Sequence, residues 1–185
     1  MSEPTRLPPA RALASMSEDE LRRALRPLFE DAGPLTAGLA GRPFETWTQV
    51  IDAVAADLDS GGDDLRAAAL RAHPRLGEAP GTLEARSTLS WCEQGSPRAT
   101  PDPEAEAIRA RLEELNAAYE ARFGFPFVEW VAGRPLASIV EVMQTRFGDD
   151  RSRELSRGCE ALIAIARDRL RKLQTATREE TPTCP

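Results

Sequence analysis

The chain of 185 residues is long enough to bury the core of one domain, since 41% of its residues are hydrophobic and 29% are charged. Its formal net charge of −6 argues against nucleic acid or an anionic membrane surface as the main partner, because such partners usually require a basic face. No run approaches the roughly 20 apolar residues of a membrane-spanning helix, and the N-terminus lacks the pattern of a secretory signal. We therefore expect a cytoplasmic protein without a membrane partner.

The chain is poor in residues that bind metals or form Schiff bases. It has one histidine, and Cys92, Cys159 and Cys184 are too widely spaced for a zinc motif, so we expect no metal site. Its only lysine, Lys172, lies in a basic run that predicts a solvated helix, so no sheltered lysine is available for pyridoxal phosphate. Glycine-rich nucleotide-binding motifs are also absent from the sequence.

The first 60 residues predict a loose leader followed by two helices. Residues 1–15 are rich in proline and lack periodicity, so we expect no regular structure there. Ser17 and Glu20 have the spacing of a capping box, and Pro27 is expected to bend or end the helix that they start. After a turn at 33–34, a second helix is expected from Arg42 to Ser60. Its apolar stripe comprises Phe44, Trp47, Val50, Ile51, Val54 and Leu58.

The third predicted helix ends at the histidine. Residues 63–71 are acidic at their start, basic at their end and rich in helix-forming residues. Pro74 cannot continue that helix and disfavours the α region for the residue before it. His73 is therefore expected just past the last turn, with its imidazole directed off the helix end. A lone histidine is more often a surface or core residue than a catalytic one, so a second signal is needed.

The second half of the chain predicts three further helices. The clearest follows Asp102 and Pro103, has its apolar residues every three or four positions, and is expected to end at Gly124. Extended chain is expected over 125–128, then helices from about 133 to 147 and from about 151 to 174. With no convincing strand, the sum is an all-α fold, a compact single-domain bundle of about six to eight helices over 16–174, followed by a flexible tail at 175–185.

Four short blocks of the sequence together have the order and spacing of one enzyme family. They are His73-Pro74-x-Leu76-Gly77, Ser90-x-x-Glu93-Gln94, Leu115-Asn116-x-x-Tyr119 and Phe123-Gly124-Phe125-Pro126-Phe127-Val128. Any one block alone is weak, but the four in this order are specific. In them the chain resembles the family of OHCU decarboxylase, in full 2-oxo-4-hydroxy-4-carboxy-5-ureidoimidazoline decarboxylase, which acts in urate breakdown. The likeness extends from Ser17 to Leu173.

The resemblance implies an all-helical, cofactor-free enzyme that removes carbon dioxide from the ureidoimidazoline and yields (S)-allantoin. It also suggests a homodimer. The family's catalytic histidine maps onto His73, and a late-helix arginine that binds substrate maps onto Arg169, although helical arginines are plentiful in this chain. The family residues that line the substrate map onto Pro74, Ser90, Glu93, Gln94, Phe127 and Val128.

The implied reaction suits a protein that has little lysine and histidine. Loss of carbon dioxide leaves an electron pair, which a carbon–nitrogen double bond beside the carboxylated carbon of this substrate can accept. The protein must then orient the substrate and move protons with a group near pKa 7. We expect His73 to handle the substrate's hydroxyl proton or hold its carboxylate, with Glu93 orienting it or acting as its acid–base partner. Ser90 and Gln94 are expected to bind ring amides, and Arg169 a carbonyl or ureido oxygen.

When these residues are considered one at a time, apart from the four blocks, several of them also have a purely structural explanation. Ser90 and Glu93 have the spacing of a helix cap, and Phe127, with its neighbouring phenylalanines, fits a core as well as a pocket wall. Arg169 in a charged helix would ordinarily be solvated. Glu129 stands where the family has an apolar residue, so it either alters the pocket wall or faces solvent.

The family pattern also breaks at Gly95-Ser96-Pro97, where the loop after Gln94 differs from the expected one. Two rival functions remain open at this point. One is a non-catalytic binding module with the same fold, which would be expected to have lost His73 or Glu93. The other is an enzyme of the same fold that acts on another ureido or imidazole acid. The sequence leaves open the kinetic constants, the oligomeric state and association with the preceding hydrolase.

Overall fold

The computed structural model describes residues 7–76 and 103–179, and within these ranges the chain is helical without a strand. A short 3-10 helix, Ala10–Ser15, precedes the α-helices. These are α1 (Glu18–Phe29), α2 (Gly33–Leu39), α3 (Trp47–Ser60), α4 (Asp63–Arg71), α5 (Pro103–Phe123), α6 (Leu136–Arg146) and α7 (Arg151–Glu179). The predicted all-α class is confirmed. In the part of the chain that is described, no helix combines the length and apolarity needed to cross a bilayer.

Helix α7 lies at the centre of the fold, because α1, α3 and α4 all pack against it. Its buried face repeats every three or four residues and includes Leu155, Leu162, Ala166 and Leu170. Gly158 lets α4 approach closely, since a Cβ at this position would lie 2.7 Å from Cδ1 of Leu70. This contact fixes the end of α4, and with it the position of the histidine, relative to α7.

Helix α1 begins at the predicted capping box but does not end at its proline. The backbone N–H of Ser17 donates to Oε2 of Glu20 at 2.8 Å, and the N–H of Glu20 donates to Oγ of Ser17 at 3.4 Å. Pro27 lies inside the helix, which continues to Phe29. The sequence predicted that Pro27 would bend or end the helix, and an end at Pro27 is wrong, because burial of Leu28 and Phe29 in the core offsets the lost backbone hydrogen bond.

The segment expected to be a loose leader, 1–15, is regular in its described part, because Ala10–Ser15 form a short helix. Ala10 and Leu13, in the short 3-10 helix, are buried in the core. The indole N–H of Trp47 donates to the carbonyl oxygen of Pro8 at 2.7 Å. Few apolar residues hold this proline-rich segment, Ala10 and Leu13 with Leu7 partly buried beside them, which is too few to produce a periodic sequence pattern. Residues 1–6 lie outside the described part of the chain.

Two helix starts differ from the expectation. Gly33 and Pro34 begin α2 rather than forming only a turn, since proline suits the first helical positions. Helix α3 begins at Trp47 rather than Arg42, because the N–H of Gln49 donates to Oγ1 of Thr46 at 3.2 Å in a second capping box. That Thr-x-x-Gln spacing was visible in the sequence.

Two helix ends are as predicted. One is the end of α4, just before the histidine, and the other is the end of α5, at the Phe-Gly-Phe-Pro turn. Helix α4 ends at Arg71, and the N–H of His73 donates to the carbonyl oxygen of Leu70 at 3.0 Å. Helix α5 ends at Phe123, and Gly124 follows with a φ of 83°, which favours glycine. The last helix extends further than expected, to Glu179, so its backbone is regular beyond the predicted limit at 174.

Candidate active site

A cavity of about 460 Å³ lies where the end of α4, the segment after α5 and one face of α7 meet. Its described wall comprises His73, Pro74, Leu76, residues 127–133, Ile165, Asp168 and Lys172. The volume falls in the range of pockets that bind small molecules. The structure therefore brings four of the predicted site residues, His73, Pro74, Phe127 and Val128, into one cavity wall.

The imidazole of His73 is half-buried, with one nitrogen that is shielded from solvent. That atom, Nδ1, has no hydrogen-bond partner among the described residues. The pKa of His73 is lowered to about 3, mainly by burial and secondly by the positive charge of Arg169. The ring is therefore neutral at pH 7. The sequence predicted a proton-transfer group with a pKa near 7, and the pKa of His73 in this structure is well below that value.

The aromatic residues of the Phe-Gly-Phe-Pro turn are divided between core and cavity. Phe127 is buried and forms part of the cavity wall, with its ring edge-on to Tyr119 at a centroid distance of 5.3 Å. Phe123 and Phe125 are also buried, but neither is among the described lining residues. Both earlier interpretations of Phe127 therefore hold, since one face of the segment is core and the other is pocket wall.

A buried amide connects two of the sequence blocks. Nδ2 of Asn116, on α5, donates to the backbone carbonyl oxygen of Leu76 at 2.7 Å. Nearby, Nη2 of Arg75 binds Oε2 of Glu120 at 2.5 Å. The Leu-Asn-x-x-Tyr block therefore holds the chain that follows His73, which gives that block a physical role in the site.

The unexpected Glu129 lines the cavity and is held by two arginines. Its carboxylate accepts from Nη1 of Arg146 at 2.9 Å and from Nη2 of Arg134 at 2.5 Å. The guanidinium of Arg146 also lies 4.8 Å from the ring centroid of Phe127. Two neighbouring wall residues are thus fixed by one buried cation, and Glu129 does not simply face solvent.

A buried carboxylate lies behind that cation. Oε2 of Glu154 accepts from Nε of Arg146 at 2.8 Å and accepts the hydroxyl hydrogen of Tyr119. The pKa of Tyr119 is raised above its usual value, mainly by burial and secondly by the hydrogen bond to Glu154, so the hydroxyl stays protonated. Sequence reasoning identified Tyr119 but missed Arg146 and Glu154, which look like ordinary surface charges in a helical sequence.

The predicted substrate ligand Arg169 is fully buried, so it is not a solvated residue. Its Nη2 binds Oε1 of Glu30 at 2.7 Å, and its Nη1 donates to the carbonyl oxygen of Leu28 at 3.2 Å. Glu30 has a φ of 60° and a ψ of −117°, which is strained for a residue with a side chain. Arg169 is not among the described lining residues, so its contact with substrate remains a prediction, although its charge acts on His73.

The remaining predictions fall on Ser90, Glu93 and Gln94, which lie outside the described residues together with Gly95-Ser96-Pro97. Sequence reasoning also missed Asp168 and Lys172, which line the cavity from α7 and whose charged atoms lie 2.8 Å apart. They lie three and seven residues after Ile165, so one helical face carries all three. The helix face expected to be only solvated is therefore partly cavity wall.

A family model and two similar proteins all name the same enzyme family. A family model described as OHCU decarboxylase matches residues 14–171. A protein of Halalkalicoccus jeotgali named 2-oxo-4-hydroxy-4-carboxy-5-ureidoimidazoline decarboxylase is 29% identical over 140 residues, which cover 76% of this chain and 76% of that protein. A protein of the same name from Haloferax volcanii is 30% identical over 131 residues, covering 71% of this chain and 74% of that protein.

Two solved structures have a similar fold at low sequence identity. A crystal structure of (S)-allantoin synthase has a TM-score of 0.56 and 22% identity and covers 90% of this chain. This chain spans only 54% of that one. A crystal structure of OHCU decarboxylase in the presence of (S)-allantoin has a TM-score of 0.60 and 17% identity, with 86% of this chain and 99% of that chain covered.

Proposed function

Since this chain belongs to the OHCU decarboxylase family, we propose that it decarboxylates 2-oxo-4-hydroxy-4-carboxy-5-ureidoimidazoline to (S)-allantoin in urate degradation. The observation that carries the proposal is the cavity in which His73, Pro74, Phe127 and Val128 meet. Its volume of about 460 Å³ suits a small molecule of this class. The reaction belongs to the carboxy-lyases.

The chemistry needs little from the protein beyond orientation and proton transfer. The bond between the ring carbon and its carboxylate breaks, carbon dioxide leaves, and the electron pair moves into the adjacent carbon–nitrogen double bond. A proton is then delivered to one face of the product. Holding the substrate in a shaped cavity supplies the orientation, and the wall formed by Phe127 and Val128 excludes water on one side.

His73 supplies the proton-transfer group in this proposal. Its neutral imidazole forms part of the cavity wall, so a substrate hydroxyl or carboxylate held in the cavity lies beside the ring. An anionic substrate beside the ring raises the pKa of His73 from its low unliganded value, because an opposite charge favours the protonated form. The imidazole can then accept the hydroxyl proton as the substrate binds.

The other roles are assigned from the family resemblance. Glu93 acts as the acid–base partner of His73, while Ser90 and Gln94 bind ring amides. Arg169 supplies a fixed cation that holds a carbonyl or ureido oxygen. Pro74, Phe127 and Val128 shape the cavity around the substrate.

We further propose a cytoplasmic homodimer that works without a cofactor. The family resemblance supports this assignment. Light scattering of the purified chain gives its molar mass in solution. A mass of twice 20.2 kDa is expected, and a mass of 20.2 kDa would contradict the dimer.

The test of the function supplies freshly made substrate, from urate that has been oxidised and hydrolysed enzymatically, and follows the optical activity of the allantoin formed. Faster formation of one enantiomer than in buffer alone is expected. Racemic allantoin formed at the buffer rate would overturn the proposal. A chain that binds the substrate without turning it over would support the binding module instead.

A further inference from the structure

The segment that carries the histidine, residues 71–76, runs antiparallel to the end of α5. Three hydrogen bonds of the described residues join the two. They link Nη1 of Arg71 with the carbonyl oxygen of Gly124 at 3.2 Å, Nη2 of Arg75 with Oε2 of Glu120 at 2.5 Å, and Nδ2 of Asn116 with the carbonyl oxygen of Leu76 at 2.7 Å. As the segment advances from 71 to 76, its partners move back from 124 to 116. His73 therefore has a contact on either side of it in the sequence.

Of these three contacts, that of Asn116 is the buried one. Asn116 is 6% exposed, whereas the side chain of Arg75 is 55% exposed and the hydrogen bond from Arg71 also lies at the surface. Exposed ion pairs hold a chain weakly, because water and salt screen them. A buried hydrogen bond is costly to break, since the carbonyl group that it leaves behind has no water to replace the donor. Asn116 is therefore the strongest of the three constraints on the histidine segment.

The packing of α5 does not explain an amide at this position. Asn116 is the only asparagine of the chain, and it lies within the buried apolar stripe of this helix. An apolar side chain would continue the stripe without the free-energy cost of burying an amide. The Oδ1 atom of Asn116 is buried without a hydrogen-bond partner, so the contact of this side chain with Leu76 is made through Nδ2 alone. The amide is explained by the segment that it holds.

We propose that Asn116 is a positioning residue, which sets the imidazole of His73 against the bound substrate by holding the carbonyl group of Leu76. This assignment rests on the proposed decarboxylase activity. His73 and Leu76 both line the cavity, whereas Asn116 is not among its described lining residues, so Asn116 acts through the segment. A misplaced imidazole slows proton transfer within the bound complex. Loss of the hydrogen bond therefore lowers kcat more than it raises KM.

The kinetic test compares kcat and KM of the wild type, Asn116→Leu and Asn116→Gln. Asn116→Leu removes the donor at similar volume and is expected to lower kcat about ten- to a hundredfold, with KM within about threefold of wild type. Asn116→Gln keeps an amide donor and is expected to recover part of the lost kcat. If Asn116→Leu fails to fold, Asn116→Asp takes its place with the same expected fall, because a carboxylate has the same shape but no donor.

The position of the ring can also be followed without turnover. The chain has one histidine, so its imidazole gives a single set of NMR signals that needs no assignment by mutation. Its chemical shifts at pH 7 are expected to change in Asn116→Leu and to return towards the wild-type values in Asn116→Gln. Unchanged imidazole shifts in a folded Asn116→Leu protein would overturn the assignment.

Thr36→Val is the matched control. Thr36 is also a buried polar residue whose side chain donates to a backbone carbonyl oxygen, that of Gly33 at 2.8 Å, but it lies on α2 and is not among the described residues of the cavity. Wild-type kcat, KM and imidazole shifts are expected for this variant. An equal fall in kcat for Thr36→Val and Asn116→Leu would overturn the assignment, because general destabilisation would then account for both.

The remaining outcomes also decide the matter. A wild-type kcat in folded Asn116→Leu overturns the positioning role and leaves the decarboxylase activity standing. A rise in KM at unchanged kcat overturns it as well, since Asn116 would then affect binding rather than the placement of the proton-transfer group. A wild type without activity overturns the proposed function, and the imidazole shifts then decide by themselves whether Asn116 sets the ring.

Discussion

The imidazole of His73 is held in a neutral form by its surroundings. Its Nδ1 is shielded from water and has no partner among the described residues, while the charge of Arg169 disfavours protonation. The sequence predicted the position of this ring, since proline punctuation and a helix end are local properties. It did not predict the depressed pKa, which depends on burial and on an arginine 96 positions away in the sequence.

We expect the single histidine resonance to report this environment directly by NMR. In the folded, unliganded protein the resonance should titrate far below pH 6.5, towards the pKa of about 3, and in urea it should return to near 6.5. A folded-state midpoint near 6.5 would contradict the lowered pKa of His73.

The same pKa shift predicts how stability changes with pH. Because the folded pKa lies below the unfolded one, the unfolded chain binds more protons between about pH 3 and pH 6.5. The contribution of His73 to stability is therefore present above pH 6.5 and is lost as pH falls towards 3. Urea denaturation of wild type and His73→Asn should show a difference in pH dependence over this interval, with the wild type losing more stability on acidification.

The pair formed by Glu30 and Arg169 is the second residue-scale feature, because both side chains are buried and Glu30 has a strained backbone. Glu30→Ala is expected to cost about 3–5 kcal/mol in the free energy of unfolding, since it removes a carboxylate from a buried guanidinium. Asp52→Ala breaks the exposed pair with Arg167 and should cost about 1 kcal/mol or less. Equal losses in the two variants would show that the buried pair has no special importance.

At the scale of elements, two helices and the cavity wall meet at the side chain of Arg146. It lies on α6, binds Glu154 on α7, and contacts Phe127 and Glu129 in the segment after α5. The sequence predicted each of these helices from its apolar period. It could not predict the contacts among them, because a charged residue on a polar helix face gives no sign that a neighbouring helix will bury it.

Arg146→Met is expected to destabilise the protein by about 3–5 kcal/mol, because Glu154 would lose its buried partner. The control is Arg153→Met on α7, which removes an exposed pair with Asp149 and should cost about 1 kcal/mol or less. Urea denaturation measures both values. A loss below 1 kcal/mol in Arg146→Met would mean that the buried carboxylate is satisfied without the arginine.

At the scale of the whole molecule, helix ends and loops meet at one side of a central helix to form the cavity. Periodicity and capping predicted most helices of the described residues, whereas α2 and the helix at 10–15 were missed because seven and six residues are too few to show a repeated apolar period. The family blocks gave His73, Pro74, Phe127 and Val128. Asp168 and Lys172 were missed because which side of α7 meets the cavity is decided by packing, not by local sequence.

The most direct measurement is the rate of substrate decarboxylation by His73→Asn compared with the wild type, with far-ultraviolet circular dichroism to establish that the helices remain. Loss of the proton-transfer group is expected to lower kcat by about two to four orders of magnitude at unchanged helical content. A folded His73→Asn protein that forms (S)-allantoin at a near-normal rate would contradict the account, because the only imidazole in the chain would then have no part in the reaction.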